Sequence, residues 1–305
     1  MIKHQIGSSD LFVSRIGLGC MSLGTSEKEA VSILHAAIDT GINYLDTADL
    51  YDYGLNEEFV GKALRGRIRE QVIVATKVGN RFTKEKNGWS WDPSKAYIMQ
   101  EVKESLRRLG TDYIDLYQLH GGTIEDSIDE TIEAFDQLQK EGIIRYYGIS
   151  SIRPNVIREY LKRSHIVSVM MEYNLLNRRP EELFSLLAKH NVSILARGPV
   201  AKGLLTNHNA QKIQRVMDKG YLSYSYEELQ ATIKRVKQAT STRSLSETAI
   251  QYCLYNPVVA AAISGASSLE QLYENVRVAE AMPLTKEEYD CLASITKQDQ
   301  YTLHR

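Results

Sequence analysis

The 305-residue sequence is poor in the features that mark several protein classes. It has only three cysteines, Cys20, Cys253 and Cys291, far apart and without a Cys-x-x-Cys spacing. Neither a disulfide framework nor a thiolate metal site is expected from them. The seven histidines are scattered too, which leaves no zinc signature. Three unpaired cysteines suit reduced thiols and a cytoplasmic protein. No apolar run is long enough to span a membrane, and Met1-Ile2-Lys3-His4-Gln5 lacks the apolar core of a secretory leader. Charge of one sign is missing as well: the formal net charge is −1, with no basic stripe or acidic tail. A nucleic acid or membrane partner is therefore not expected. Length alone suggests about two domains. Without any Pro/Gly/Ser-rich linker or composition shift, residues 1–305 read as one domain.

What is present is alternation. With 43% hydrophobic and 25% charged residues, the chain can bury a large core. Ile16 to Cys20 reads as a first strand, followed by a helix from about Lys28 to Asp39. A second strand ends at Asp46, with a helix over 56–64. A third ends at Lys77, and Asp92-Pro93 is expected to start the next helix, with Pro at its first position. A fourth strand ends at His120, and its helix stops at Gly142. Residues 143–150, 166–173, 192–197 and 259–263 read as four more strands, with helices over 155–162 and 179–189. Eight such units favour a parallel sheet with helices outside, a single (β/α)8 TIM barrel. Two long segments, Asn80 to Trp91 and Pro199 to Tyr226, fall at the C-terminal ends of strands, where loops carry function. The first ten residues with Phe12-Val13 read as a hairpin closing the opposite end.

Asp46, Tyr51, Lys77 and His120 all lie at or just after strand ends. Taken singly, Lys77 and Asp46 read as a structural ion pair, Tyr51 as a loop aromatic and His120 as a satisfied structural histidine. As a set on one barrel face they suit proton chemistry. A phenol of pKa about 10 is a poor acid at neutral pH, and an adjacent ammonium favours its phenolate. Asp46 would hold the Lys77 ammonium, Tyr51 would donate a proton, and His120 would orient a bound carbonyl. The set suits protonating an oxygen whose carbon receives hydride. A barrel hydrolase using His120 and Asp46 is disfavoured, since no nucleophile–base pair or metal cluster accompanies them.

These motifs resemble the aldo-keto reductase superfamily, in its bacterial-type NADP-dependent oxidoreductase branch. Asp46-Thr47-Ala48-Asp49-Leu50-Tyr51 with Tyr53-Gly54-Leu55-Asn56-Glu57 is similar to its signature, with one residue of shift. Thr76-Lys77, Asp112 through His120, Gly148-Ile149-Ser150-Ser151, Glu172-Tyr173-Asn174 and Gly265-Ala266-Ser267-Ser268 through Glu274-Asn275 follow in order. The resemblance runs from about Gly17 to Asn275. It implies a catalytic tetrad of Tyr51, Asp46, Lys77 and His120, and a nicotinamide cofactor bound extended. The chain has no Gly-x-Gly-x-x-Gly turn that would mark a Rossmann site.

The resemblance also implies a cofactor groove of Gly19, Cys20, Met21, Asp46, Ser150, Ser151, Arg197, Pro199, Val200, Lys202, Gly203, Gly265, Ser267, Gln271, Glu274 and Asn275. Four positions depart from family habit. Ser151 replaces Asn, Met170 replaces Gln, Arg197 stands where an aromatic ring stacks, and Gln271 stands where Arg is common. The Arg197 guanidinium can stack on a ring, or bind a phosphate or neighbouring carboxylate. NADP(H) is the expected cofactor, with NAD(H) the other choice. Trp89 and Trp91 would wall an aldehyde or pack their loop onto the barrel. The expected activity is NAD(P)H-dependent reduction of a small-molecule carbonyl substrate by a monomer or weak oligomer. The alternative is a nicotinamide-binding, redox-sensing regulatory subunit, disfavoured by the lack of a docking tail or oligomerisation heptad.

Overall fold

Short apolar runs become strands because both their faces are covered, one by the barrel interior and one by helices. In the computed structural model, which describes residues 1–83, 85 and 88–305, β1 (Lys3–Gln5) and β2 (Phe12–Ser14) form an antiparallel hairpin. The chain continues through β3 (Ile16–Gly19), α1 (Glu27–Asp39), β4 (Tyr44–Asp46), α2 (Leu55–Ala63) and β5 (Ile73–Val78). A second hairpin, β6 (Asn80–Phe82) and β7 (Trp89–Trp91), leads to α3 (Lys95–Leu109), β8 (Ile114–Leu119) and α4 (Ile128–Lys140). There follow β9 (Ile144–Ser150), α5 (Pro154–Arg163), β10 (Ser168–Glu172), α6 (Phe184–Lys189) and β11 (Ser193–Arg197). The last elements are α7 (Ala210–Gln214), α8 (Tyr226–Ala239), α9 (Leu245–Tyr255), β12 (Val259–Gly265), α10 (Leu269–Glu280) and α11 (Lys286–Ile295).

Strands β3, β4, β5, β8, β9, β10, β11 and β12 close into a parallel barrel in that order. This is the (β/α)8 architecture. Register brings the chemical strand ends to one level. Gly265 pairs beside Gly19 and Gly19 beside Asp46, Lys77 lies beside Gln118, Ser150 beside Met170, and Glu172 beside Arg197. The opposite end is plugged by the first hairpin. Ile6, Leu11 and Val13 are buried in one cluster with Tyr44, Ile73, Leu116, Val167 and Leu195.

Several boundaries differ from the sequence expectation. Helix α3 starts at Lys95, not at Pro93, because Ser94 is the cap and its hydroxyl accepts from Tyr97 N at 3.2 Å. The Pro93 carbonyl is used elsewhere, accepting from Thr131 Oγ1 at 2.9 Å. The expected helix over 179–189 splits into a 3-10 turn at Arg179–Leu183 and α6. Cys20 opens a 3-10 turn rather than ending β3. Of the segment Asn80 to Trp91, residues 84, 86 and 87 lie outside the described residues, and the rest forms the β6–β7 hairpin. Helices α8 and α11 pack on each other, an arrangement the eightfold pattern did not foresee.

Candidate active site

Strand alternation turns Lys77 into the barrel mouth and Thr76 outward. Lys77 Nζ donates to Asp46 Oδ1 at 2.5 Å, to the Thr47 carbonyl at 2.8 Å and to the Tyr51 hydroxyl at 3.2 Å. The pair is deeply buried, with side-chain exposures of 1% and 5%. Gln118 Nε2 donates to the other Asp46 oxygen at 3.3 Å. Burial works to neutralise Lys77, but Asp46 and then Tyr51 more than reverse it, so its pKa is raised and the ammonium is secure.

Tyr51 stands on a tight turn whose next three residues are left-handed: Asp52, Tyr53 and Gly54 have φ of 47°, 55° and 90°. For the two non-glycine residues this costs roughly 1–2 kcal/mol each. Asn56 ties the turn to the 3-10 turn that follows β3. It accepts from Thr47 Oγ1 at 2.7 Å and donates to the Cys20 carbonyl at 2.8 Å. The Tyr51 and His120 rings meet edge-on, with centroids 5.8 Å apart. Burial, then Lys77 and Arg197, pull the His120 pKa down to about 3, so the imidazole is neutral. Its Nδ1 is buried without a hydrogen-bond partner among the described residues.

One elongated cleft of about 1610 Å³ joins these residues to the late loops. That exceeds the roughly 300–1,000 Å³ of common small-ligand pockets, as a dinucleotide plus a substrate requires. Its lining includes Asp46, Tyr51, Lys77 and His120 together with Arg197 to Val200, Lys202 and Gly203, and also Ser267, Gln271, Glu274 and Asn275. Gly19, Met21, Ser150, Ser151, Met170 and Gly265 also line it, whereas the Cys20 side chain is wholly buried and does not. Arg197 Nη1 donates to Glu172 Oε2 at 3.3 Å, a neighbouring-carboxylate contact, while its side chain stays 44% exposed. Ser267 N and Oγ both donate to Gln271 Oε1, at 3.0 and 3.1 Å. Glu274 is held by Ser246 Oγ at 2.9 Å, and Asn275 donates to the Gly265 carbonyl at 3.2 Å.

The β6–β7 hairpin lends Asn80, Trp89 and Trp91 to the lining of the same cleft. Trp91 Nε1 donates to both Asp126 oxygens, at 3.0 and 3.1 Å, and its ring fills the space beside Gly79 and Gly121. Trp89 is 57% exposed at the rim. Sequence reasoning missed Gln118, Asn56 and Asp126. The signal for Gln118 was present: a lone amide in a short buried strand, two residues before His120 and so at the same inward parity. The cleft also exposes Arg153, Lys212 and Arg277, which no motif singled out.

Comparison with known proteins identifies the family and supports the fold. The model of the Aldo/keto reductase family matches residues 15–297. The chain is 59% identical over 306 residues to the oxidoreductase YqkF of Bacillus subtilis (strain 168), covering 100% of both. The aldo-keto reductase AKR11C1 from Bacillus halodurans, in its holo form, superposes with a TM-score of 0.96 at 58% identity, over 100% of this chain and 99% of that one. The glycerol dehydrogenase AKR11B4 from Gluconobacter oxydans gives 0.85 at 29% identity, over 96% and 94%. The chain belongs to the aldo/keto reductase family, as an oxidoreductase of carbonyl substrates that works with a nicotinamide cofactor.

Proposed function

We propose that the protein reduces an aldehyde or ketone with NADPH, and that Tyr51 is the general acid. The observation that carries this reading is the Tyr51 hydroxyl, 3.2 Å from a buried, charged Lys77 and edge-on to a neutral His120 at the inner end of the cleft. The bound nicotinamide supplies hydride. The chain's own residues do the rest. A neutral His120 can donate an N–H to the carbonyl oxygen and orient it, while Tyr51 passes its proton to that oxygen as negative charge develops. Lys77 stabilises the phenolate left behind, and Asp46 and Gln118 keep the ammonium in place.

For the cofactor, Lys202 and the turn from Gly198 to Gly203 offer charge and close backbone approach to a pyrophosphate. Ser267 occupies the Gln271 amide oxygen, so the amide nitrogen is left to donate to a 2′-phosphate, which favours NADPH. Arg197 would release Glu172 to lie on the nicotinamide ring.

Purified protein with NADPH and with NADH, across aldehydes, ketones and quinones, tests the activity and the cofactor choice. Tyr51→Phe tests the acid. Turnover is expected to fall by roughly 100-fold or more, with NADPH affinity unchanged in a fluorescence titration. Near-normal carbonyl reduction by the variant would remove Tyr51 from the mechanism.

A further inference from the structure

Behind the strand wall lies a buried ionic cluster that the chemistry above does not use. Glu57, the last residue of the signature, is fully buried on α2. It accepts from Thr76 Oγ1 at 2.6 Å on one oxygen and from Arg108 Nε at 2.6 Å on the other. Arg108, on α3, also pairs through Nη2 with Glu101 and donates to Ser105 Oγ at 3.2 Å. Burial works against the Arg108 charge, and Glu57 and Glu101 outweigh it, so the guanidinium is firmly charged.

The cluster touches the Tyr51 turn at both ends. A Cβ on Gly54 would meet Arg108 Cδ at 2.8 Å, so the guanidinium stem lies directly against the left-handed residue that ends the turn. On the strand side, Thr76 precedes Lys77 in β5, and Asp49 N donates to the Lys77 carbonyl at 3.2 Å. The Asp49 carboxyl accepts from Leu50 N at 2.6 Å and from Tyr97 Oη at 3.4 Å. Burial, then Glu57 and Glu101, push its pKa well up. Helices α2 and α3 meet so closely that a Cβ on Gly61 would lie 2.5 Å from the Arg108 carbonyl. Turn and strand are thus clamped to one ion pair.

We propose that Glu57 and Arg108 are positioning residues for the reaction: their buried pair, bonded to Thr76 and packed on Gly54, fixes the Tyr51 hydroxyl relative to the Lys77 ammonium. Neither touches substrate or cofactor, and the cleft lining contains neither. The role rests on Tyr51 being the proton donor. An offset of about 1 Å in a reacting group costs up to roughly 100-fold in rate.

The test is a double-mutant cycle on turnover, using the full chain with NADPH and one good aldehyde. Glu57→Gln is expected to lower kcat at least about tenfold, with the aldehyde KM and the NADPH Kd within about twofold of wild type. In a Tyr51→Phe background the same substitution should leave the residual rate unchanged, because the group it positions is gone. Arg108→Lys keeps the charge but loses the fork, and should behave like Glu57→Gln; it carries the cycle if Glu57→Gln does not fold. An equal loss in both backgrounds would mean general structural damage and overturn the proposal, as would wild-type kcat in either folded variant. Full turnover by Tyr51→Phe alone would defeat the acid assignment instead, a separate outcome read from the same cycle.

Discussion

At the scale of single residues, the site depends on burying charge and keeping it paired. Lys77 and Asp46 satisfy one another almost out of reach of water. Breaking a buried pair costs roughly 3–5 kcal/mol, because the survivor is left uncompensated. Lys77→Met and Asp46→Asn should each lose much of that stability in urea unfolding, and the double variant should recover part of it. All three should have little turnover, Lys77→Met less than Asp46→Asn. A double variant as unstable as the sum of its parts would mean the two do not act as a pair. His120 gives a second prediction, with the sign fixed by linkage. Its ordinary pKa of about 6.5 falls to about 3 in the fold. Between these values the unfolded chain binds the extra proton, so stability is fully present above about pH 6.5 and is lost as pH falls toward 3. At pH 5 this amounts to about 2 kcal/mol. Denaturation at pH 7 and pH 5 should show a larger loss for wild type than for His120→Gln; equal losses would place His120 in water.

At the scale of elements, the strands were legible and the turns were not. Asp46, Lys77 and His120 could be placed because each follows a short apolar run, and the end of such a run is a strand end wherever the sheet is buried on both faces. Helix α4 could be read from Ile128, Ile132, Phe135 and Leu138, all buried or nearly so on one side. The left-handed Asp52 and Tyr53 could not, since neither is a glycine and only tertiary clamps hold them there. Nor could the packing of α8 on α11, which follows an irregular segment with weak periodicity. The β6–β7 hairpin was seen only as a long loop. Its seat is Asp126, which holds Trp91 and also accepts from Thr123 N at 2.7 Å. Asp126→Ala frees both, at a cost of about 1–3 kcal/mol. The expected result is a carbonyl KM raised several-fold, with the NADPH Kd unchanged by titration. An unchanged KM across small and bulky carbonyls would remove the hairpin from the substrate wall.

At the scale of the whole molecule, the candidate site and the hairpin plug sit at opposite ends of the barrel. Strands of five to seven residues, such as β10 and β9, are roughly 17–23 Å long and run at a tilt between the two ends. The tetrad gathers at the C-terminal ends, where eight loops meet and register levels Asp46 with Gly19. The N-terminal end is sealed by the first hairpin, whose Gly7 packs tightly against it. Gly7 has φ +51°, and its N donates to Ser193 Oγ at 2.8 Å. A Cβ there would lie 2.3 Å from the Val167 carbonyl oxygen and 2.6 Å from that of Asn191. Both are backbone atoms, so neither can swing aside as a side chain would. Gly7→Ala therefore combines overpacking, about 1–3 kcal/mol, with a left-handed penalty of roughly 1–2 kcal/mol. The variant should unfold at distinctly lower urea concentration than wild type. Because no hydrogen bond links Gly7 to the tetrad among the described residues, kcat and NADPH affinity of the folded fraction should stay within about twofold of wild type. Urea melts paired with active-site titration separate the two effects. Turnover falling in step with stability, per folded molecule, would show that the plug and the candidate site are coupled through the barrel.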